Sequence, residues 1–336
     1  MMKFSVEFKK LTDAVNIVSK AVAVKGTKPM LANLLVTASE GKIRLVGTDE
    51  EIMMISTIEA NIENGGHFTI PAKLIQEILS SITAESSETV SFELLNEERN
   101  EMELNCGRSK FNIQIQGAEE FPPVPVLGGE DTTLYETKSE GLARALKEAS
   151  VAMSSEEGNP VQKSICVDFS NGTKAMMAST DNKRLAVTSV RDFEIPETMK
   201  QMFIVPSRAI PELQKLLESN ETIKFGLYKD QLLFSSEKFQ LITRLVEGRF
   251  PDYNRVLPKE ATRSMKVNRK ALSFVPSELN GEPISIGFNA KFVGDFINVL
   301  DDEEVIIEMT TANYPGLFRP GNLDSEFKYV VMPMMF

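Results

Sequence analysis

One pattern recurs along this chain and constrains its fold more than any other feature. FTIPAKLIQEILSSI (68–82), FIVPSRAIPELQKLL (203–217) and ISIGFNAKFVGDFINVL (284–300) each read as a short β run, a small or polar residue, then an amphipathic helix. Self-similarity at this scale marks a chain built from repeated supersecondary units. In the first copy Leu74, Ile75, Ile78, Leu79 and Ile82 share one helical face, and in the third Phe292, Val293, Phe296 and Leu300 do. The cap positions carry Ala72, Ser207 and Asn289, and the latter two side chains can accept a hydrogen bond from free helical N–H groups.

Two further blocks recur. GRSKFNIQIQGAEEFPPVP (107–125) matches EKFQLITRLVEGRFPDYNRVLP (237–258), and the terminal KYVVMPMMF (328–336) stands in the same place in the last unit. Phe111, Ile113 and Ile115 alternate with polar residues, the period-two signature of a half-buried strand, and the Phe-Pro pair ends it because proline lacks a ladder donor. KIRLVGTDEEIMMI (42–55) and KAMMASTDNKRLAVT (174–188) each read as strand, Thr-Asp turn, strand. Helices open the units at 8–22 and 139–153. The expected fold is α+β: helix-plus-antiparallel-sheet modules in three domains, 1–125, 128–252 and 253–336. The third is short. An opening helix begins at VNRKALSF (267–274), the next repeat starts at 284, and no third Thr-Asp block intervenes. Strands left without neighbours there would expose an edge.

Catalytic resources are thin. The chain has one histidine, His67, and two cysteines, Cys106 and Cys166, without metal-ligand or disulfide spacing. There is no P-loop, no GxSxG and no GxGxxG before a helix. These residues read as filler in or beside a sheet, so the expectation is no catalytic residue, no metal and no cofactor. No secretory leader and no apolar run of membrane-spanning length is visible, and the cysteine usage points to the cytoplasm. A net charge of −11 argues on average against nucleic acid, yet leaves room for one locally basic surface.

KPMLANLLV, GTDEEI, FTIPAKL, GRSKFNI, FPPVP, TDNKRLAV, VPSRAIPEL, GRFPDYNRVLP, IGFNAKF and YVVMPM, in this order, resemble the bacterial DNA polymerase III sliding clamps, the β subunits. The resemblance runs from residue 2 to 336 except for the missing part of the third domain. It implies a DNA-clamp fold whose repeated modules form a crescent. It implies a processivity factor that encircles duplex DNA without sequence readout and tethers the polymerase, the clamp loader and repair proteins through short linear peptides. A hydrophobic groove would be lined by Thr180, Asn182, Lys183, Arg184, Leu185, Pro251, Arg255, Val256, Asn289, Phe292, Met332, Pro333 and Met334. The apolar terminus would then be a pocket wall, where methionine suits a site that accepts many peptides. DNA contact would fall to Lys25, Lys73, Lys147, Arg208 and Lys215, with Arg144 also on a candidate lining helix. A head-to-tail homodimer would use Phe111 and Ile113, provided the short third domain permits closure. The alternative is a ring-incompetent relative that acts as a monomeric peptide-binding adaptor or competitor.

Overall fold

The structure is a computed structural model that describes residues 1–23, 28–83, 88–96, 98–125, 133–170, 172–269 and 278–334. The first module runs β1 (Lys3–Glu7), α1 (Phe8–Val18), β2 (Asn33–Ser39), β3 (Lys42–Thr48), β4 (Ile52–Glu59), β5 (Asn61–Asn64), β6 (Gly66–Pro71), α2 (Ala72–Ser81), β7 (Thr89–Asn96), β8 (Glu101–Cys106) and β9 (Ser109–Gln114). The second runs β10 (Leu134–Lys138), α3 (Ser139–Ser150), β11 (Ser164–Asp168), β12 (Met176–Thr180), β13 (Arg184–Ser189), β14 (Met202–Pro206), α4 (Ile210–Glu218), β15 (Thr222–Tyr228), β16 (Gln231–Ser235) and β17 (Gln240–Arg244). The third is shorter: β18 (Arg263–Asn268), β19 (Glu278–Asn280), α5 (Ala290–Val299), β20 (Glu304–Met309), β21 (Gly316–Pro320) and β22 (Lys328–Val331). These elements group into two compact units, residues 1–134 with 224–244 and residues 135–223 with 245–336.

In the first module β1 leads into α1 and β6 into α2; α1 is followed by β2 to β5 and α2 by β7 to β9. The leading strands are exchanged between the halves. β1 lies beside β7, with Phe4 opposite Phe92, and β6 lies beside β2, with Phe68 opposite Val36. This gives the antiparallel orders β5-β1-β7-β8-β9 and β17-β4-β3-β2-β6, the latter extended by β16 and β15. Period-two burial puts Phe4, Phe92, Leu34, Leu45 and Phe68 inward, where they meet Leu11 and Val15 of α1 and Ile75 of α2 around one apolar centre. Gln76 Nε2 donates to Asn16 Oδ1 at 3.3 Å, so the two helices also touch through a polar link.

The second unit carries a nine-stranded antiparallel sheet, β14-β11-β12-β13-β22-β21-β20-β18-β19. The apolar face of α3 (Leu142, Ala145, Leu146 and Ala149) is buried, and Ser179 of β12 donates to the Ala149 carbonyl at 2.5 Å. Phe296 of α5 packs on Phe318, Phe327 and Tyr329 of its own module.

Three local expectations change. No helix opens within Val267–Asn268: these residues complete β18, where Val267 faces Val305, because RSMKVN alternates polar and apolar residues and a neighbouring strand is available. The remainder of that expected helix, 270–274, lies outside the described residues. Ile284–Phe288 form no named strand. Only Gly287 makes a bridge, to Met334; among the described residues the strand that β6 uses in the first module has no counterpart here. Ser207 does not cap α4, which begins at Ile210 behind Ala209 with no side-chain cap; the Ser207 carbonyl instead accepts from Ile210 N–H in the preceding turn. Asn289 is a cap as expected, its Oδ1 accepting from Lys291 N–H at 2.9 Å.

Close packing of α1 on β3 yields a test. A Cβ on Gly47 would lie 2.2 Å from the Val18 carbonyl oxygen, a backbone atom that cannot swing away. Gly47→Ala should lower stability by about 2 kcal/mol through overpacking, read as a lower urea midpoint at unchanged slope. An unchanged midpoint would show that the helix end is not held against the strand.

Candidate functional site

The groove residues named from sequence all fall in the second unit, and the Thr-Asp turn between β12 and β13 organises them. Thr180 Oγ1 donates to the Arg184 carbonyl at 2.7 Å and accepts from Asn182 N–H at 3.1 Å. Asp181 Oδ1 accepts from the N–H groups of Lys183 and Arg184, both at 2.9 Å. Asn182 sits at φ +69°, a left-handed conformation that asparagine tolerates. The first module builds the same turn with Thr48, Asp49 and Glu50, the last at φ +71°.

Beyond the turn, β13 pairs with β22: Arg184 faces Val331 and Leu185 faces Val330. The chain then keeps bonding outside the named strand. Met332 N–H donates to the Lys183 carbonyl at 2.9 Å, and Met334 N–H to the Gly287 carbonyl at 2.8 Å. The terminal segment is therefore held on two sides while its side chains face out, Met332 at 45% and Met334 at 49% exposure. Val256, also 45% exposed, follows a turn anchored from below, where Tyr253 donates from its hydroxyl to Asp168 Oδ2 at 2.7 Å. Tyr253 packs in one apolar cluster with Phe250, Leu185, Leu317 and Val330, and half-buried Leu257 joins it. Burial and then the Asp168 carboxylate push the Tyr253 phenol well above its ordinary range.

Arg184 ties these parts together. It is 9% exposed, and its Nε donates to Asp181 Oδ2 at 2.9 Å. Its Nη1 donates to Asp295 Oδ2 of α5 at 2.5 Å and to the Tyr329 hydroxyl at 3.3 Å. The guanidinium lies 4.3 Å from the centre of the Phe292 ring, and the Tyr329 hydroxyl donates to the Phe292 carbonyl at 3.0 Å. Burial works against this charge, but the bonds to Asp295, Tyr329 and Asp181 outweigh it and raise the pKa. Burial likewise pushes Tyr329 up to about 12.

The thirteen-residue expectation thus divides into surface and support. Asn182, Lys183, Pro251, Arg255, Val256, Met332 and Met334 are exposed, and Asn289, Phe292 and Pro333 are half-buried. Thr180, Arg184 and Leu185 are buried and act from beneath. Sequence reading missed Asp295, Tyr329, Tyr253 and Asp168. The only available signal was an aspartate three residues after Phe292 in an otherwise apolar helix.

Of the expected DNA contacts, Lys73, Lys147 and Lys215 lie on helices, while Arg208 lies in the turn before α4. Lys73 on α2 has an 89% exposed side chain with Glu77 at 3.8 Å. Lys147 on α3 and Lys215 on α4 are exposed beside Asp301 (3.9 Å) and Glu212 (3.6 Å). Arg208 is half-buried, and Lys25 lies outside the described residues. Arg144 turns inward, donating to both Glu148 carboxylate oxygens and to the Ser189 carbonyl, each at 2.9 Å, so it does not face solvent as a free cation. At the expected dimer edge, β9 is the last strand of its sheet; Phe111 is half-buried there and the Ile113 side chain is buried in its own unit. His67 is an exposed residue of β6 and both cysteines are buried. No described helix is long and apolar enough to cross a membrane.

The repeated module and this anchored apolar terminus define an α+β, clamp-type fold. Comparison with known proteins agrees. The models of the N-terminal, central and C-terminal domains of the DNA polymerase III beta subunit match residues 2–125, 136–252 and 273–335. The Beta sliding clamp of Haemophilus influenzae is 26% identical over 375 residues, covering 99% of this chain and 100% of the relative. That of Bacillus subtilis is 23% identical over 385 residues, covering 99% of each. Both aligned lengths exceed the chain's 336 residues, so this chain carries gaps relative to them. The crystal structure of the DNA polymerase III subunit beta from Pseudomonas aeruginosa superposes with a TM-score of 0.90 at 24% identity, covering 100% of both chains. The sliding clamp structure from Bacillus subtilis gives 0.88 at 23%, covering 100% of this chain and 99% of that one. The chain belongs to the bacterial DNA polymerase III beta subunit family, the sliding clamps. It is a processivity factor and not an enzyme, with DNA and polymerase as partners.

The Arg184 cluster makes a quantitative prediction. Arg184→Met should cost about 2–3 kcal/mol, because it strands Asp181 and Asp295 beside apolar surface. Asp295→Asn should cost about 1 kcal/mol, since that carboxylate is a third exposed and keeps a polar replacement. Urea unfolding of both variants checks the order; equal small losses would mean the cluster is decorative.

Proposed function

We propose that this clamp holds its partners through the surface formed by Val256, Met332 and Met334, with Asn182, Lys183, Pro251, Arg255, Asn289, Phe292 and Pro333 around it and Thr180, Arg184 and Leu185 beneath. The observation that carries this reading is the terminal segment. Its backbone is bonded at Met332 and Met334, yet both side chains are left in water. Exposed apolar groups on a fixed backbone favour a ligand that brings its own apolar side chains, and methionines repack for different ones at small cost. The ligand class is a short extended peptide with leucine and phenylalanine near its end, borne by the polymerase, the clamp loader or repair proteins. The site of action is the cytoplasm.

DNA contact is the second part of the reading. Lys73, Lys147, Arg208 and Lys215 supply mobile, sequence-independent attraction to phosphate, and each solvated cation contributes little alone. A tether so weakly held stays on DNA only if it is closed around it, which calls for a second copy. The bland reading, that these are ordinary solvated lysines, predicts no salt-dependent retention.

Two measurements separate the parts. Met332→Glu with Val256→Glu should weaken binding of a Leu-Phe-ended peptide at least tenfold by fluorescence polarisation, with the unfolding midpoint nearly unchanged because both sites are exposed. Unchanged affinity would remove the groove. Lys73→Glu with Lys215→Glu should leave peptide affinity alone and flatten the salt dependence of DNA retention, by about one unit of log–log slope for each phosphate no longer neutralised. An identical slope would remove these residues from the DNA surface.

A further inference from the structure

Sulfur in this chain is divided between core and surface. Met54, Met102, Met177, Met199 and Met309 are buried, and so are both cysteines. Burial and then the Glu88 carboxylate hold the Cys106 thiol above its ordinary range, and burial with Asp168 does the same for Cys166. Neither cysteine offers a thiolate to an oxidant. Among the described residues the sulfur most open to water is thioether, on Met1, Met202, Met332 and Met334.

Two of these four stand in the terminal surface. The Met332 N–H is bonded to the Lys183 carbonyl and the Met334 N–H to the Gly287 carbonyl, while both side chains remain in water. Pro333, between them, has no N–H at all. The segment 332–334 therefore holds no free backbone donor for a new oxygen atom on either sulfur. Met202 shares the nine-stranded sheet but opens β14 at its far edge, with β11, β12 and β13 between it and β22. At the usual strand spacing that is a separation of roughly 19 Å. Met1 belongs to the first unit.

We propose that Met332 and Met334 are a modification site for hydroperoxides, and that their conversion to sulfoxide releases the bound peptide. The proposal rests on the peptide-binding reading of this surface. In the reaction a thioether lone pair attacks one peroxide oxygen. The S–O bond forms as the O–O bond breaks, and the proton on the transferred oxygen leaves with the other oxygen as water or an alcohol. Sulfur loses two electrons and the peroxide gains them. A dithiol reductant reverses the step, carrying the oxygen away as water and becoming a disulfide.

Placement decides what the added oxygen does. In the free protein it stands in water, and the backbone bonds at Met332 and Met334 are untouched, so the fold is kept. In the complex, leucine and phenylalanine side chains lie over the sulfoxides, strip their water and supply no donor. The penalty falls on the bound state alone. A core methionine such as Met177, 3% exposed, would instead disrupt packing when oxidised. Leucine at 332 and 334 would present a similar apolar surface without this reactivity.

The test treats the full chain with hydrogen peroxide, removes the excess with catalase, and titrates a fluorescent Leu-Phe-ended peptide that lacks methionine, cysteine and tryptophan. Mass mapping should find oxygen on Met332 and Met334 before Met54, Met102, Met177, Met199 or Met309. Bound peptide should slow oxidation at 332 and 334 and leave Met202 as fast as before. Affinity should fall about tenfold or more at an unchanged unfolding midpoint. Methionine sulfoxide reductases for both epimers, with dithiothreitol, should restore it. Met202→Leu should lose affinity on oxidation as the parent does. Met332→Leu with Met334→Leu, whatever its starting affinity, should lose none. Unchanged affinity of the oxidised parent overturns the inference, as does a loss that the double leucine variant shares or that accompanies unfolding. If that variant binds too weakly to titrate, peptide protection and reductase rescue decide, and failure of either is contrary. An unoxidised parent that binds no peptide is a different result: it removes the groove reading itself, and this inference with it.

Discussion

The antiparallel pairing of β13 with β22 is the interaction on which the candidate site depends. It carries the apolar terminus into the sheet of the second unit and fixes which side chains face water. The Thr-Asp turn sets where β13 begins, because Thr180 and Asp181 take the N–H groups of residues 182–184. Arg184, the first residue of the strand, then reaches both Asp295 on α5 and Tyr329 on β22. One buried cation thus joins a turn, a strand and a helix that lie far apart in sequence. Such a group specifies geometry more than it adds net stability, since its desolvation offsets much of its attraction.

The same architecture accounts for a chain with little chemistry. Its cysteines are buried, and burial followed by the Asp168 charge pushes the Cys166 thiol up to about 12, far from a reactive thiolate. Its single histidine is an exposed strand residue. What the fold offers instead is surface: exposed lysines on helices and exposed methionines on an anchored terminus. A processivity factor needs both and needs no reacting group.

The modular fold is legible because it rests on local pattern. Period-two strands, helical stripes and Thr-Asp turns repeat closely enough to be read without long-range information, and Asn289 caps its helix as its chemistry suggests. The outward methionines are legible too, as an apolar run that continues past the last strand. What fails are assignments that depend on partners. Arg144 looks like a solvated helix cation until Glu148 is found one turn later and buried beside it. Val267 and Asn268 read as helix because the first two modules place one there, but with β20 alongside, their alternation makes strand. Asp295 and Tyr329 stand 111 and 145 residues from Arg184, and no local pattern announces such contacts.

Hydrogen–deuterium exchange across residues 328–334 tests the central claim most directly. If the terminal segment is a fixed wall with outward side chains, the amides of Met332 and Met334 exchange slowly in the free protein, and more slowly still when a Leu-Phe-ended peptide is added. Amides that exchange at the rate of an unstructured tail, or that do not respond to bound peptide, would contradict it.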